Sequence, residues 1–216
     1  MYVIDFDIVG AAISLLSLYL FYLRKNISNT QSDRFALLIW AMLGRSVFSA
    51  LSSLSINTMP VCPTSAVIAT TTFFLLFHNC IPVLTAFYIL SFTVAPVVRL
   101  KGRVAFFAPI GIAFALILTN PVSRLVFFVD DGGVYRHGPA FIALYIIATG
   151  YFLLGFFAVI LPKSLPSRAQ RYAFLSALLL PLIAMVIQNK LSGIMLECFA
   201  GSIGTLAVLL TIQNSI

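Results

Sequence analysis

The stretch VVRLKGRV (Val97 to Val104) is a compact basic cluster between long apolar segments, and two similar clusters flank it along the chain. Between consecutive clusters the apolar chain is long enough for two membrane crossings. The chain before the first cluster is long enough for one crossing, and the chain after the last cluster is long enough for two. Because Lys and Arg mark cytoplasmic loops, this pattern predicts seven helices, with the N-terminus outside and the C-terminus in the cytoplasm. The three clusters consist of Arg24, Lys25 and Arg34; Arg99, Lys101 and Arg103; and Lys163, Arg168 and Arg171.

The composition is that of an integral membrane protein. Hydrophobic residues make up 61% and charged residues 9% of the 216 residues, and the mean hydropathy is +1.08. Lipid cannot pair exposed backbone N–H and C=O groups, so helices are the expected spans. We therefore predict an all-α membrane protein that forms a single seven-transmembrane helix bundle. The predicted helices cover residues 3–23, 35–56, 64–92, 104–119, 140–161, 172–188 and 194–213.

The net charge of +7 is expected to reflect topology, because nine of the 13 Lys and Arg lie in the three basic clusters. Contact with anionic lipid headgroups accounts for such clusters, so membrane lipid is the expected partner and nucleic acid is not. Asp5 and Asp7 occupy the place where a cleavable signal peptide has its positive charges. The first segment is therefore expected to stay in the membrane as a helix.

Five polar or ionisable residues within the predicted spans are candidate ligand-binding residues. Charged groups in a membrane are costly, and they often mark a functional site. The residues are Arg45 in helix 2, His78 and Asn79 in helix 3, and Asp7 and Glu197 toward the outer ends of helices 1 and 7. We expect Arg45 to reach a carboxylate such as Asp7 or Glu197. The alternative is a buried hydrogen-bonded network that serves helix packing alone.

The segment NPVSRLVFFVDDGGVYRHGP (Asn120 to Pro139) is the longest predicted outer loop. Asn120–Pro121 is expected to end helix 4 in a turn, and LVFF (Leu125 to Phe128) to lie on or dip into the membrane interface. DDGG (Asp130 to Gly133) predicts a turn after which Val134–Tyr135 pairs back as a short hairpin. The loop is either a lid over the outer mouth of the bundle or a plain connector, and Tyr135 joins the ligand-binding candidates.

Catalysis and cofactor binding have little support in the sequence. Two His cannot form a three-His zinc site, the hydrolase and metalloprotease motifs are absent, and the last helix has no Lys for a retinal Schiff base. No catalytic residue, metal or cofactor is predicted. A Cys62–Cys198 disulfide is left open. Gly201 and Gly204 in helix 7, and Gly150 and Gly155 in helix 5, are expected to permit close helix approach.

The loop and the C-terminal end carry a family resemblance. NPVSRLVFFVDDGGVYRHGPAF (Asn120 to Phe141) resembles the outer loop between helices 4 and 5 in the N-terminal seven-helix region of bacterial histidine kinases, and in related diguanylate cyclase receptors. The end LTIQNSI (Leu210 to Ile216) is similar to the junction with an output domain, although Ser215 stands where relatives have Pro. The matching loop positions are Asn120, Pro121, Phe127, Phe128, Gly133, Tyr135, Gly138 and Pro139.

The resemblance implies a sensory domain in the bacterial cytoplasmic membrane. Such a domain detects an external or membrane-borne ligand and relays it through helix 7 to a kinase or cyclase domain absent from this sequence. It also implies a homodimer formed through that output domain. The alternative is a small-solute transporter of the sugar type, whose two three-helix repeats should resemble each other. Helix 3 contains Pro82 whereas helix 7 has no Pro, so the two halves do not match.

Overall fold

The computed structural model describes residues 2–24, 30–59, 61–92, 100–130, 134–161, 167–188, 190–191 and 194–213. It confirms an all-α protein, with six helices long and apolar enough to cross a membrane and a shorter apolar helix, Leu196–Ile212. The elements are α1 (Asp5–Arg24), α2 (Thr30–Asn57), α3 (Thr64–Leu90), α4 (Leu100–Ser123), β1 (Phe127–Val129), β2 (Tyr135–His137), α5 (Phe141–Ile160), α6 (Arg168–Gln188) and α7 (Leu196–Val208), which continues as a π-helix over Leu209–Gln213.

The predicted helix bounds differ most for α2, α4 and α6. Helix α2 begins five residues earlier than expected, α6 begins four residues earlier, and α4 extends four residues further at each end. Each of these helices continues into polar residues. A span needs only about 20 residues to cross the hydrocarbon core, so the additional residues of a longer helix can project beyond it. Within the basic clusters, Lys25, Arg99 and Lys163 lie outside the described residues, as do Asn214–Ile216.

The helices alternate in direction, so the bundle has two distinct ends. At one end Tyr2 N–H donates to Asn57 Oδ1 at 2.7 Å, Asn57 Nδ2 donates to the Tyr2 carbonyl at 2.8 Å, and Val3 pairs with Ile194. This end also holds β1 and β2, and we call it the hairpin end. The opposite end, the basic end, contains the helix termini next to the three basic clusters. There Arg34 lies 4.2 Å above the Phe87 ring.

Two buried apolar clusters hold the helices together. One joins α1, α2, α3, α6 and α7 with the end of α5, and the other joins α3, α4 and α5 to β1. Large apolar side chains on the outer faces of α4 and α5 remain exposed, including Ile112 and Ile146. Since lipid is as apolar as these side chains, tight packing of small residues and hydrogen bonds hold membrane helices together. The exposed faces are those expected to contact lipid.

The loop after α4 differs from the sequence prediction in two respects. Helix α4 continues through Pro121 to Ser123 and ends at Arg124, whose φ of 55° is left-handed and whose N–H donates to the Asn120 carbonyl at 2.9 Å. Asn120–Pro121 therefore does not end the helix. Val126 and Phe127 are buried in the apolar cluster of α3, α4 and α5, whereas Leu125 is exposed, so the LVFF segment does not lie on the surface as a whole.

The predicted hairpin is present. Strands β1 and β2 pair antiparallel, with Phe127 opposite His137 and Val129 opposite Tyr135. The turn residues Asp131–Gly133 lie outside the described residues. Gly138 follows β2 and donates its N–H to the Val126 carbonyl at 2.8 Å. A Cβ at this position would collide with the Leu125 carbonyl, which explains why this matching loop position is a glycine.

Candidate functional site

A cavity of about 220 Å³ opens at the hairpin end between α2, α3, α5 and the start of α7. Its volume lies below the range of about 300–1,000 Å³ typical of drug-sized ligand sites, so it suits a small molecule. The lining residues are Tyr2, Arg45, Ser49, Ser52, Ser53, Ile56, Thr71, Phe74, Leu75, His78, Asn79, Tyr135, His137, Phe141, Leu144, Tyr145, Ala148, Gln188, Ile194, Met195 and Glu197.

One polar face of α2 forms a wall of the cavity. Arg45, Ser49, Ser52 and Ser53 follow one another at intervals of four, three and one residues, which places them on the same side of a helix. The Ser52 and Thr71 hydroxyls share a hydrogen bond of 2.8 Å that joins this wall to α3. The sequence analysis missed the three serines. Their helical spacing from Arg45 was the signal that could have found them.

A buried ion pair crosses from this wall to α7. The Arg45 Nη2 and Glu197 Oε1 atoms are 3.3 Å apart, and the two side chains are 3% and 13% exposed. Asp7 does not line the cavity; its fully buried carboxylate lies beside the Cys198 thiol and the Ser49 hydroxyl, within electrostatic range of Arg45. Both Asp7 oxygens lack a hydrogen-bond partner among the described residues. The expected contact of Arg45 with a carboxylate is therefore made by Glu197.

Helix α3 contributes acceptors that face the same space. The Asn79 amide donates from Nδ2 to the Leu75 carbonyl at 2.9 Å, while Oδ1 is buried without a partner in the described part of the chain. The neighbouring His78 ring lies 5.4 Å from the Phe74 ring, and its Nδ1 atom is likewise buried and unpartnered there. These two side chains thus offer unfilled hydrogen-bonding capacity beside the cavity.

The hairpin and α5 cover the cavity with aromatic rings. Tyr135 stacks on Phe127 with ring centroids 5.7 Å apart, and His137 stacks on Phe141 at 3.7 Å. Burial raises the pKa of the Tyr135 phenol, and partial burial lowers the pKa of the His137 imidazole below its usual value, so both groups are neutral at pH 7. The loop therefore does more than connect α4 to α5, because two of its side chains line the cavity.

Asn120 holds the hairpin against α4. Its Oδ1 accepts hydrogen bonds from the N–H groups of Val126 at 2.7 Å and Phe127 at 3.1 Å, and its Nδ2 donates to the Phe127 carbonyl at 2.9 Å. Where the chain leaves α4, backbone N–H and C=O groups lose their helical hydrogen-bond partners. The three hydrogen bonds of the Asn120 side chain replace those partners. Asn120 is thus a positioning residue for the cavity cover, a role that the sequence analysis did not assign.

The model of one protein family, the N-terminal 7TM region of histidine kinase, matches residues 8–214. The chain belongs to this family. No curated protein and no solved structure matches it. The family is a membrane sensory region, and the match over almost the whole chain favours that role over the transporter alternative.

In this histidine kinase 7TM region, five of the six predicted site residues line one cavity: Arg45, His78, Asn79, Tyr135 and Glu197. Among the described residues, no group of three or more His, Cys, Asp or Glu side chains could hold a metal ion. Cys62 and Cys198 are both free, so the disulfide left open by the sequence does not form. Cys198 is buried within the bundle, where Cys62 in the connection between α2 and α3 does not reach it.

Proposed function

We propose that this domain detects a small external or membrane-borne ligand in the cavity and relays its presence through α7 to a cytoplasmic kinase or cyclase output domain. The Arg45–Glu197 ion pair carries the proposal, because it joins the cavity wall directly to α7. A ligand that contacts either side chain changes how strongly α2 holds α7. Such a ligand shifts the equilibrium between two packings by its difference in affinity for them.

Contacts of α7 with helices on two of its sides support the proposed relay. The Ser202 hydroxyl shares a hydrogen bond of 3.0 Å with Ser14 on α1. On another side, Gly204 lies against the backbone of Ala177 on α6. The last turn, Leu209–Gln213, is π-helical and ends at the basic end. Because π-helical turns often occur at functional sites, this turn is the proposed exit of the signal.

The proposed orientation places the basic end in the cytoplasm and the cavity outside. Lys and Arg next to membrane spans are retained on the cytoplasmic side, and the helix termini that flank the three basic clusters in the sequence lie at the same end of the bundle. The proposed location is the cytoplasmic membrane of a bacterium. We further propose that the sensor works as a homodimer assembled through its output domain, so that shifts of two copies of α7 act together.

The test uses the native gene product in its source cells. An immunoblot with an antibody against the segment Asn120–Pro139 should show a band well above the 23.6 kDa of this chain. The substitution Arg45→Ala should then change the kinase or cyclase activity at wild-type expression, whereas Leu118→Ala on the exposed face of α4 should not. A band at 23.6 kDa, or wild-type signalling by Arg45→Ala, would contradict the proposal.

A further inference from the structure

The charges around the cavity do not favour an anionic ligand. One guanidinium, Arg45, faces two carboxylates, Glu197 at 3.3 Å and Asp7 behind the wall. The three groups sum to −1 when Asp7 is ionised and to zero when it is protonated. In neither state is there a positive charge without a counter-charge. An anion would have to displace Glu197 from Arg45 and leave that carboxylate unpaired in a buried place, which is costly.

Among the described residues, the cavity-lining polar atoms without a hydrogen-bond partner include an acceptor, Asn79 Oδ1, and a donor, Arg45 Nε, while the Ser49 hydroxyl and His78 Nδ1 can act as either. Asn79 donates one amide N–H to the Leu75 carbonyl, and its Oδ1, which is buried without a partner among the described residues, can only accept. Glu197 uses Oε1 for Arg45 and, as a carboxylate, offers further lone pairs to a second donor. The unpartnered Nε–H of Arg45 is a donor and suits an oxygen atom elsewhere on a ligand. The Asn79 and Glu197 oxygens can together accept hydrogen bonds from a ligand that carries several N–H groups.

The cover of the cavity is aromatic. Tyr135 on β2, Phe141 and Tyr145 on α5, and Phe74 on α3 all line it. The faces of aromatic rings attract cations within about 6 Å of the ring centroid. The same rings provide apolar surface for a hydrocarbon body. Aromatic rings on one side and carboxylate and amide oxygens on the other are complementary to an organic ammonium ion.

We infer that the cavity binds a small primary amine in its ammonium form. Its N–H groups donate to Glu197 and Asn79, and its apolar body lies against Tyr135 and Tyr145. This inference rests on the proposed function, for which it names the ligand class. A bound ammonium shares the Glu197 carboxylate with Arg45, and Asp7 remains as a second carboxylate near the guanidinium, so binding weakens the link between α2 and α7 without leaving a buried charge unpaired. The ligand chemistry thereby supplies the differential contact that a two-state relay requires.

The test is a matched series of three probes on the full chain in lipid nanodiscs, measured by isothermal titration calorimetry at pH 7. Phenethylamine, 2-phenylethanol and phenylacetate share one apolar body and differ in charge. We expect phenethylamine to bind at least tenfold more tightly than the other two. Butylamine against butyrate repeats the comparison with a smaller body. Equal binding of amine and carboxylate, or no binding of either amine, would overturn the inference.

Variants locate the binding and separate it from partition into lipid. Glu197→Gln keeps the shape of the side chain and should weaken phenethylamine binding at least tenfold, and Asn79→Ala, which leaves the ion pair intact, should weaken it several-fold. Leu118→Ala on the lipid-facing side is the matched control and should bind as wild type. Wild-type binding by a folded Asn79→Ala protein would reject the assigned site.

One further variant distinguishes failure of this inference from failure of the proposed function. Ala148 lines the cavity, and Ala148→Trp places an indole in a space of about 220 Å³. If this variant changes signalling by the native protein while neither amine binds the wild-type chain, the sensor proposal stands and the ligand class is wrong. If it signals as wild type at normal expression, the cavity is not the sensory site.

Discussion

The packing of α7 on α6 predicts that Gly204→Ala destabilises the bundle. A Cβ at Gly204 would lie 2.7 Å from the Ala177 Cα and 3.3 Å from the Ser176 carbonyl oxygen, both of which are backbone atoms. Carbon atoms pack best at about 3.5–4.0 Å, so the two helices must separate by about 1 Å. Such overpacking costs about 1–3 kcal/mol, whereas replacing a helical Gly by Ala returns about 0.5–1 kcal/mol. The difference between these two ranges spans about 0–2.5 kcal/mol, so the expected net loss in the free energy of unfolding is centred on about 1 kcal/mol.

Two other helical glycines provide matched controls for this prediction. A Cβ at Gly201 would lie 2.9 Å from Cε of Met42, the flexible end of a side chain that can move away. A Cβ at Gly150 meets nothing within 4 Å. Thermal unfolding in detergent should therefore rank Gly150→Ala at or above wild type, Gly201→Ala close to it, and Gly204→Ala lowest by several degrees. Equal melting temperatures for Gly204→Ala and Gly150→Ala would refute the backbone-contact argument.

Three further predictions concern the site. Arg45→Met alone should destabilise the bundle by about 3–5 kcal/mol because it leaves Glu197 buried without a counter-charge. The double variant Arg45→Met with Glu197→Gln should recover most of that loss. If chemical unfolding shows that the losses of the two single variants add in the double variant, the two side chains do not form a direct pair. Asn120→Ala should lower the free energy of unfolding by about 1–3 kcal/mol, because it leaves buried backbone groups without hydrogen-bond partners. It should also speed hydrogen exchange at Val126, measured by mass spectrometry. Unchanged exchange would show that Asn120 does not position the hairpin. Because the pKa of His137 is lowered by folding, the unfolded state binds more protons, and the stability of the hairpin should fall as the pH drops from about 7.5 to 5.5. After correction for the intrinsic pH dependence of amide exchange, the protection of the hairpin amides should vary with pH in the wild type and not in His137→Phe; a variation that persists in the variant would point to another group.

The helices were predictable because lipid imposes strict requirements on a chain. A span must be helical and apolar over a minimum length, and charges between spans are visible in the sequence. The antiparallel pairing of the loop was also predictable, since DDGG supplies turn residues between β-forming segments. The helices and the hairpin depend on local sequence and on the surrounding solvent, so both can be predicted without knowing which helices contact one another.

The errors arise where a neighbouring element decides the outcome. Asn120–Pro121 has the local signature of a helix end. However, Pro121 has no backbone N–H that would need a partner, and the Asn120 side chain forms hydrogen bonds with the hairpin. Gly150 was expected to permit close helix approach, but it faces open space, whereas Gly204 contacts a backbone. The sequence marks where small residues occur but does not reveal which face of each helix meets another.

The ion pair between α2 and α7 is difficult to explain by stability alone. A buried Arg–Glu pair contributes little net stability, because desolvation offsets its attraction, and an apolar pair of similar volume often does as well. Here the pair lies beside a cavity, with Asp7 as a second carboxylate and with acceptors on α3 left unfilled. An apolar replacement would keep α7 in place but would remove its sensitivity to charge in the cavity. Helix α7 is also the shortest of the described helices and packs closely on α6 through Gly204. A charge that enters the cavity would therefore act directly on α7, the last described helix in chain order, which continues as a π-helix to Gln213.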